Sequence, residues 1–401
     1  MAASFDFDSI LAEARERAGS SDFGSDFEEP LRRLLRSLED EADLNETGRA
    51  MQRERTVNVL ATRARVESWF HRHPEIADEH IGAPLVVCGL PRTGTTMLHR
   101  VIAEDPEFDS AKWYETRFPA PFDGWEPCAP DAPDERIAVA KEEVRMTLEL
   151  APELMAIHPF DATSPDEEIM LLEQSFYSAV PDSYCRLPSY AEWVDAQDQM
   201  PGYRYLLRML QFLQWQHRQR GGVRPRWTLK SPHHLHYLRE LFTLFPDATV
   251  VQTHREPEQI VPSICSMSKY LFAMGTDRPD LHWVGAHWSA KWARAMERSM
   301  RYRDAAIAAD PRMAERFIDV WFLDSVKDPV ETVRSVYARI GRELTAVARE
   351  KMERWTEDNA REKRAPHAYS LEEFGLTSER IRELYGAYRE RYILTRAGAR
   401  E

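Results

Sequence analysis

The segment PLVVCGL at 84–90, followed at once by PRTGTT at 91–96, limits what this chain can become more than any other stretch of it. A short unbroken apolar run predicts a strand covered on both faces, which is a property of parallel sheets. After the turn, Met97, Leu98, Val101 and Ile102 fall on one face of a helix that Pro106 terminates. Strand, glycine-bearing turn and helix in that order predict an α/β domain. The turn spaces Gly89 and Gly94 as phosphate loops do, with backbone amides and a helix N-terminus facing an anion.

The position that holds lysine in kinases and GTPases is Thr95 here, which argues against a triphosphate. Arg92 supplies a cation from within the turn, and Thr93, Thr95 and Thr96 add small donors. Further strands are predicted at RWTLK (226–230), ATVVQTH (248–254) and RFIDVWF (316–322), with a helix over 234–245 between the first two. Strand, helix, strand implies parallel pairing. Other helices are expected over about 134–156, 165–179 and 201–218, with Ser164 to Glu167 reading as a capping box and Ser370 with Glu373 as another, before the last helix. The Pro-rich aromatic stretch 118–133 reads as loop. The expectation is a P-loop-like parallel sheet flanked by helices. Residues 1–80 form an N-terminal helical arm on an α/β domain at 81–401 with a helical C-terminus.

Composition removes several function classes. Lys and Arg total 53 against 67 Asp and Glu, a net charge of −14, so nucleic acid and anionic membrane are unsuitable partners. Cys88, Cys128, Cys185 and Cys265 are scattered, which predicts neither a disulfide framework nor a zinc site and fits a reducing cytoplasm. No basic leader precedes an apolar stretch, and no apolar run reaches the roughly 18 residues of a membrane span. No metal and no integral membrane association are expected.

Pro91 to Thr96 resembles, position for position, the 5′-phosphosulfate loop of the sulfotransferase family, Pro-(Arg/Lys)-(Ser/Thr)-Gly-Thr-Thr. The family's second signature, an arginine after a strand with a serine eight residues on, is matched by Arg255 and Ser263 in VVQTHREPEQIVPS. The resemblance runs from about residue 83 to 380 and includes Leu229 to Ala248, similar to the Lys-x-Pro strand end of tyrosylprotein and other Golgi-type members, and 322–341, similar to the last strand and helix. It implies transfer of a sulfonate group from 3′-phosphoadenosine-5′-phosphosulfate to a hydroxyl of a small organic acceptor. By the same resemblance Arg92, Thr93, Gly94, Thr95 and Thr96 hold the 5′-phosphosulfate, while Arg255 and Ser263 hold the 3′-phosphate. Ser263 is expected near a helix start, because Pro262 fits only a first turn without a kink. The Arg-Lys-Gly loop of the cytosolic branch is absent, and Arg364, with Arg361 and Lys363, stands in its place; Met97 replaces a common tryptophan, leaving the adenine contact unassigned.

Sulfonate transfer needs a base for the acceptor proton and positive charge for the leaving oxygens. Glu115 in WYETRFP resembles the Glu-Thr-Arg glutamate of the tyrosylprotein branch, and burial among Trp113, Tyr114 and Phe118 is expected to raise its pKa. His233 is the alternative base. Lys230, ending a strand, is expected to stabilise the leaving phosphate, whereas Glu167 and Glu168 rank below these because the capping box accounts for them. The acceptor pocket is expected between segment 113–125 and helices 134–218, which carry Phe160, Phe176 and Tyr177. A nucleotide kinase or ATPase and a non-catalytic nucleotide-binding module are the competing readings.

Overall fold

The apolar run forms β1 (Leu85–Gly89), all of it buried, at the centre of the sheet. In the computed structural model, which describes residues 3–122, 125, 133–157, 160–359 and 369–397, four strands join it: β2 (Phe108–Asp109), β3 (Arg226–Lys230), β4 (Thr249–His254) and β5 (Phe317–Trp321). The order is β2-β3-β1-β4-β5, parallel throughout, with Val87 opposite Lys230 and Gly89 opposite Thr253. The short β2 at the edge carried no apolar run and was not expected from the sequence.

Alternation along these strands divides the core into two layers. Val86, Cys88, Trp227, Leu229 and Val250 pack with the helices Met200–Gln219, Pro257–Ala273 and Leu281–Ala309. Leu85, Val87, Val251, Ile318 and Val320 pack with Leu98, Val101 and Ile102 and with the helix Pro329–Arg339. Each fully buried large apolar side chain is worth about 1.5–3 kcal/mol, so the two layers fix the strand order. From β1 the chain passes toward β2, and from β4 toward β5, so the connections diverge between β1 and β4. At such a switch point a crevice opens at the strands' C-terminal ends.

The N-terminal residues form α1 (Phe7–Ala18), α2 (Glu28–Asp40) and α3 (Glu46–Arg72), the first and third capped by Asp6 and Asn45. Their own core of Ile10, Leu31, Leu34, Val57 and Leu60 also takes in Phe176, Leu187 and Tyr190. Arg55 clamps Glu173 through two 2.7 Å bonds.

Several local expectations are corrected. Residues 165–179 hold only a four-residue turn of helix, Ile169–Leu172, and a 3-10 turn, Glu173–Ser175. The backbone ahead of them is taken by α5 (Trp113–Arg117) and its lead-in: Ser164 accepts from the Trp113 amide at 2.9 Å and the Asp166 amide donates to Ala111 at 3.0 Å. Over 234–245, the 3-10 turn Pro232–His236 precedes the helix Leu238–Leu244. Pro262 lies inside the helix that begins at Pro257, so Ser263 sits in its second turn. Ser370 caps only the 3-10 turn Glu372–Phe374, and Thr377 caps the helix Ser378–Leu384.

Candidate active site

β1 delivers the chain into a turn that its glycines make possible. A Cβ at Gly89 would lie 2.1 Å from Thr253 Oγ1, so only glycine lets β1 and β4 approach there. Arg92 and Gly94 both adopt positive φ, 70° and 88°, which folds the turn back over the start of α4 (Thr95–Ala103). Thr93 is fully buried: its hydroxyl donates to Leu90 O and meets Thr253 Oγ1, both at 2.6 Å. The hydroxyl of Thr93 therefore shapes the turn, and what remains for an anion is its amide beside those opening α4.

The second signature folds onto the first. Arg255 follows β4, and its Nη1 donates to the carbonyl of Arg92 at 3.0 Å, while Arg92 Nε donates to Ser263 Oγ at 3.2 Å. The Arg255 guanidinium lies 4.1 Å from the Phe322 ring centroid, and its backbone is held by Tyr388. Neighbouring Glu256 and Glu258 are engaged by Arg389 and Arg382. Arg92, Thr93, Gly94, Thr95, Thr96, Arg255 and Ser263 are thus collected at the switch point. Arg364, with Arg361 and Lys363, lies outside the described residues.

Lys230 ends β3 with its side chain interior. Its ammonium pairs with the Glu167 carboxylate and lies 3.4 Å from Thr96 Oγ1. Glu168 serves the scaffold: one oxygen accepts from the Lys230 amide and the other meets His234 Nε2, both at 2.7 Å, while Tyr203 holds His234 Nδ1 at 2.8 Å. Burial pushes the Glu167 carboxyl above its usual range, although Lys230 opposes the shift. Sequence reasoning ranked Glu167 low because its local spacing mimicked a cap.

Beside Glu167 opens a cavity of about 190 Å³. Pro91 brings the turn after β1 to its edge, and Ile169, Met170, Val180, Ile264 and Leu271 make its body apolar. His233 also lines it, and its Nε2 has no hydrogen-bond partner among the described residues. Burial, then the neighbouring imidazoles and Lys291, hold His233 well below the usual histidine range, so it is neutral at pH 7. Of the aromatic residues expected here, Phe160 lines the cavity, whereas Phe176 is packed against the arm.

Glu115 requires a correction: it is not among the residues lining the cavity. His217 Nε2 holds one of its oxygens at 2.7 Å, and the Lys112 amide donates to the other at 2.7 Å. His217 Nδ1 spans to Asp109 at 2.8 Å, tying α5 to β2. The expected rise in pKa is reversed, because burial is outweighed by His217 and Arg136, and the carboxyl is pushed down to about 2. The carboxylate thus ties α5 to the helix that carries His217. The partner that decides this, His217, lies on a helix far along the chain and left no local signal.

No helix among the described residues is long and apolar enough to cross a membrane. The sulfotransferase family model matches residues 84–346, more than half of the chain. Omega-hydroxy-beta-dihydromenaquinone-9 sulfotransferase Stf3 of Mycobacterium bovis and of Mycobacterium tuberculosis is 23% identical over 317 residues, 76% of this chain and 74% of the relative. Among solved structures, sulfotransferase STF1 from M. tuberculosis superposes with a TM-score of 0.77 at 30% identity, covering 95% of this chain and 98% of that one. Sulfotransferase STF9 from Mycobacterium avium reaches 0.83 at 26% identity, with 97% of each chain covered. The family match and the two solved relatives agree with the parallel sheet and its glycine-bearing turn: the chain is an α/β enzyme that transfers sulfonate, and it belongs to the sulfotransferase family.

Proposed function

We propose that the donor is 3′-phosphoadenosine-5′-phosphosulfate and that the acceptor is the hydroxyl of an apolar small molecule seated in the cavity. The observation that carries this reading is the Lys230 ammonium, which touches Glu167 on the cavity side and reaches Thr96 on the turn side. The residues fit such a donor: the α4 amides and Arg92 suit one phosphate group, and Arg255 with Ser263 suits a second. When bound, the donor supplies a sulfonate group on a phosphate leaving group.

The work of the chain is then to place and discharge the acceptor. Glu167, ionised, takes the hydroxyl proton on a carboxylate oxygen as the acceptor oxygen attacks sulfur. Lys230 holds the Glu167 carboxylate in place and, with Arg92 and the α4 amides, receives negative charge as it gathers on the leaving phosphate oxygen. The apolar lining excludes water, which strengthens each of these interactions. His233 sits at the same edge and is the runner-up for the base. Stf3 is named for a hydroxylated acceptor, which supports a hydroxyl here. The unbridged thiols of Cys88, Cys185 and Cys265 are in keeping with a reducing cytoplasm.

Thermal unfolding with adenosine 3′,5′-bisphosphate and, separately, with Mg-ATP tests the donor, since a ligand of the folded state raises the midpoint with its concentration. Stabilisation by the bisphosphate alone is expected. Stabilisation by Mg-ATP alone would return the kinase reading, and bisphosphate binding without sulfonation of any alcohol would favour a binding module.

A further inference from the structure

The segment Gly386–Leu394 is fastened to the ends of β4 and β5, although it lies far along the chain from both signatures. Its residues Arg389–Leu394 wind as a π-helix, a rare form found frequently at functional sites. Tyr388 and Tyr392 are both buried, and the Tyr392 ring stacks on His254, the last residue of β4, with centroids 4.1 Å apart and planes 12° from parallel. His254 is fixed in turn by Asp319 at 2.9 Å, which Arg303 grips at 2.6 and 2.8 Å. Trp321, at the end of β5, donates its indole N–H to the Tyr392 carbonyl at 2.7 Å.

Arg255 is the residue this anchored segment holds. The Arg255 amide donates to Tyr388 Oη at 3.2 Å, and Tyr388 Oη donates to the Arg255 carbonyl at 3.3 Å. A phenol can do both at once, having one O–H to give and lone pairs to receive. Burial pushes the Tyr388 phenol above its usual range, so it stays protonated and keeps that O–H. We propose that Gly386–Leu394 is a built-in part of the 3′-phosphate site, with Tyr388 as a positioning residue that acts through Arg255 and makes the protein prefer a 3′-phosphorylated nucleotide over one phosphorylated at the 5′ end alone. The inference rests on Arg255 holding the 3′-phosphate.

An arginine side chain is long, so a small swing of its backbone becomes a large displacement of its guanidinium. The far end is steered by the Arg92 carbonyl at 3.0 Å, by Gln259 at 3.1 Å and by the Phe322 ring at 4.1 Å. Tyr388 fixes the near end, which lowers the ordering cost that remains when the ligand binds. The same segment also manages charge. Arg389 engages Glu256 at 2.7 Å and reaches Glu258 at 3.8 Å, so the two carboxylates that follow Arg255 are matched before a phosphate arrives.

The test is calorimetric titration with adenosine 3′,5′-bisphosphate and with adenosine 5′-phosphate, which lacks the group in question. Tyr388→Phe keeps the ring and deletes only the hydroxyl; it should raise the bisphosphate dissociation constant about five- to twenty-fold and move that of the 5′-phosphate by less than about twofold. A change that merely loosened the fold would weaken both alike. Arg389→Gln serves if Tyr388→Phe fails to fold, and it should weaken the bisphosphate about two- to fivefold, a loss recovered when Glu256→Gln is added. Equal losses for both nucleotides, or no loss for either, overturns the inference. Arg255→Ala separates the inference from the assignment beneath it. If that variant keeps the wild-type preference, the 3′-phosphate lies elsewhere and both fall; a preference narrowed by Arg255→Ala and untouched in the folded Tyr388→Phe and Arg389→Gln proteins overturns the positioning role alone.

Discussion

Arg255 donates to the backbone carbonyl of Arg92 at 3.0 Å, so the side chain that follows β4 holds the main chain of the turn that follows β1. The two signatures, far apart in sequence, are one piece of machinery. A change at either is felt at both.

Arg255→Ala should therefore do more than remove one phosphate contact, because it also releases the Arg92 turn. Losing charge-assisted bonds of this kind costs about 1.5–3 kcal/mol. The dissociation constant for adenosine 3′,5′-bisphosphate should rise about ten- to a hundred-fold, measured by calorimetry. An unchanged constant would mean that the 3′-phosphate is held elsewhere.

Glu167→Gln should lower kcat by about 10²- to 10⁴-fold while bisphosphate affinity stays close to wild type. The pH profile carries the sharper signature. A base works only when ionised, and burial raises the Glu167 carboxyl, so wild-type kcat/KM should fall toward acid earlier than an ordinary glutamate would dictate. That acid limb should vanish in the variant. Its persistence would transfer the role to another group, His233 first.

Glu115→Gln should act on stability. The Glu115 carboxyl is pushed down to about 2 from its ordinary 4.5, so its contribution is complete above pH 4.5 and is lost as pH falls toward 2. His217 is pushed up to about 10 from 6.5 by Glu115 and Asp109, against the effect of burial; its contribution is complete below pH 6.5 and is lost as pH rises toward 10. The pair thus contributes in full between pH 4.5 and 6.5. Breaking a buried pair costs about 3–5 kcal/mol. The variant's deficit in Tm should be greatest in that window, and scans across pH would read it directly.

Thr93→Val removes the hydroxyl that links Leu90 O to Thr253 Oγ1. Leaving those buried groups unpaired should cost about 1–3 kcal/mol, seen in denaturant titration. Bisphosphate affinity should fall only a few-fold, since the backbone amide survives. A loss as large as that of Arg255→Ala would show that the hydroxyl itself binds the ligand.

What the sequence disclosed depended on how local the cause was. β3 occupies the expected 226–230, because the alternation of Trp227 and Leu229 ahead of Pro232 is a local pattern that needs nothing from afar. The turns after β1 and β4 were legible for the same reason, each being a strand end with its own residues. The base was not. Glu115 sits in an aromatic segment that looked desolvating, yet His217, on another helix, sets its charge. Glu167 looked like part of a helix cap until Ala111 and Trp113 took the backbone bonds that the cap required.

The strip from Glu173 to Val194 has two neighbours. Phe176, Leu187 and Tyr190 are sunk into the N-terminal helices, whereas Ala179, Val180, Ser183 and Tyr184 border the cavity. Substitutions in α1 to α3 can therefore resize the cavity without disturbing the ends of β1 and β4. The shape of the cavity can thus be altered through residues that never border it, while the turns after β1 and β4 keep their contacts.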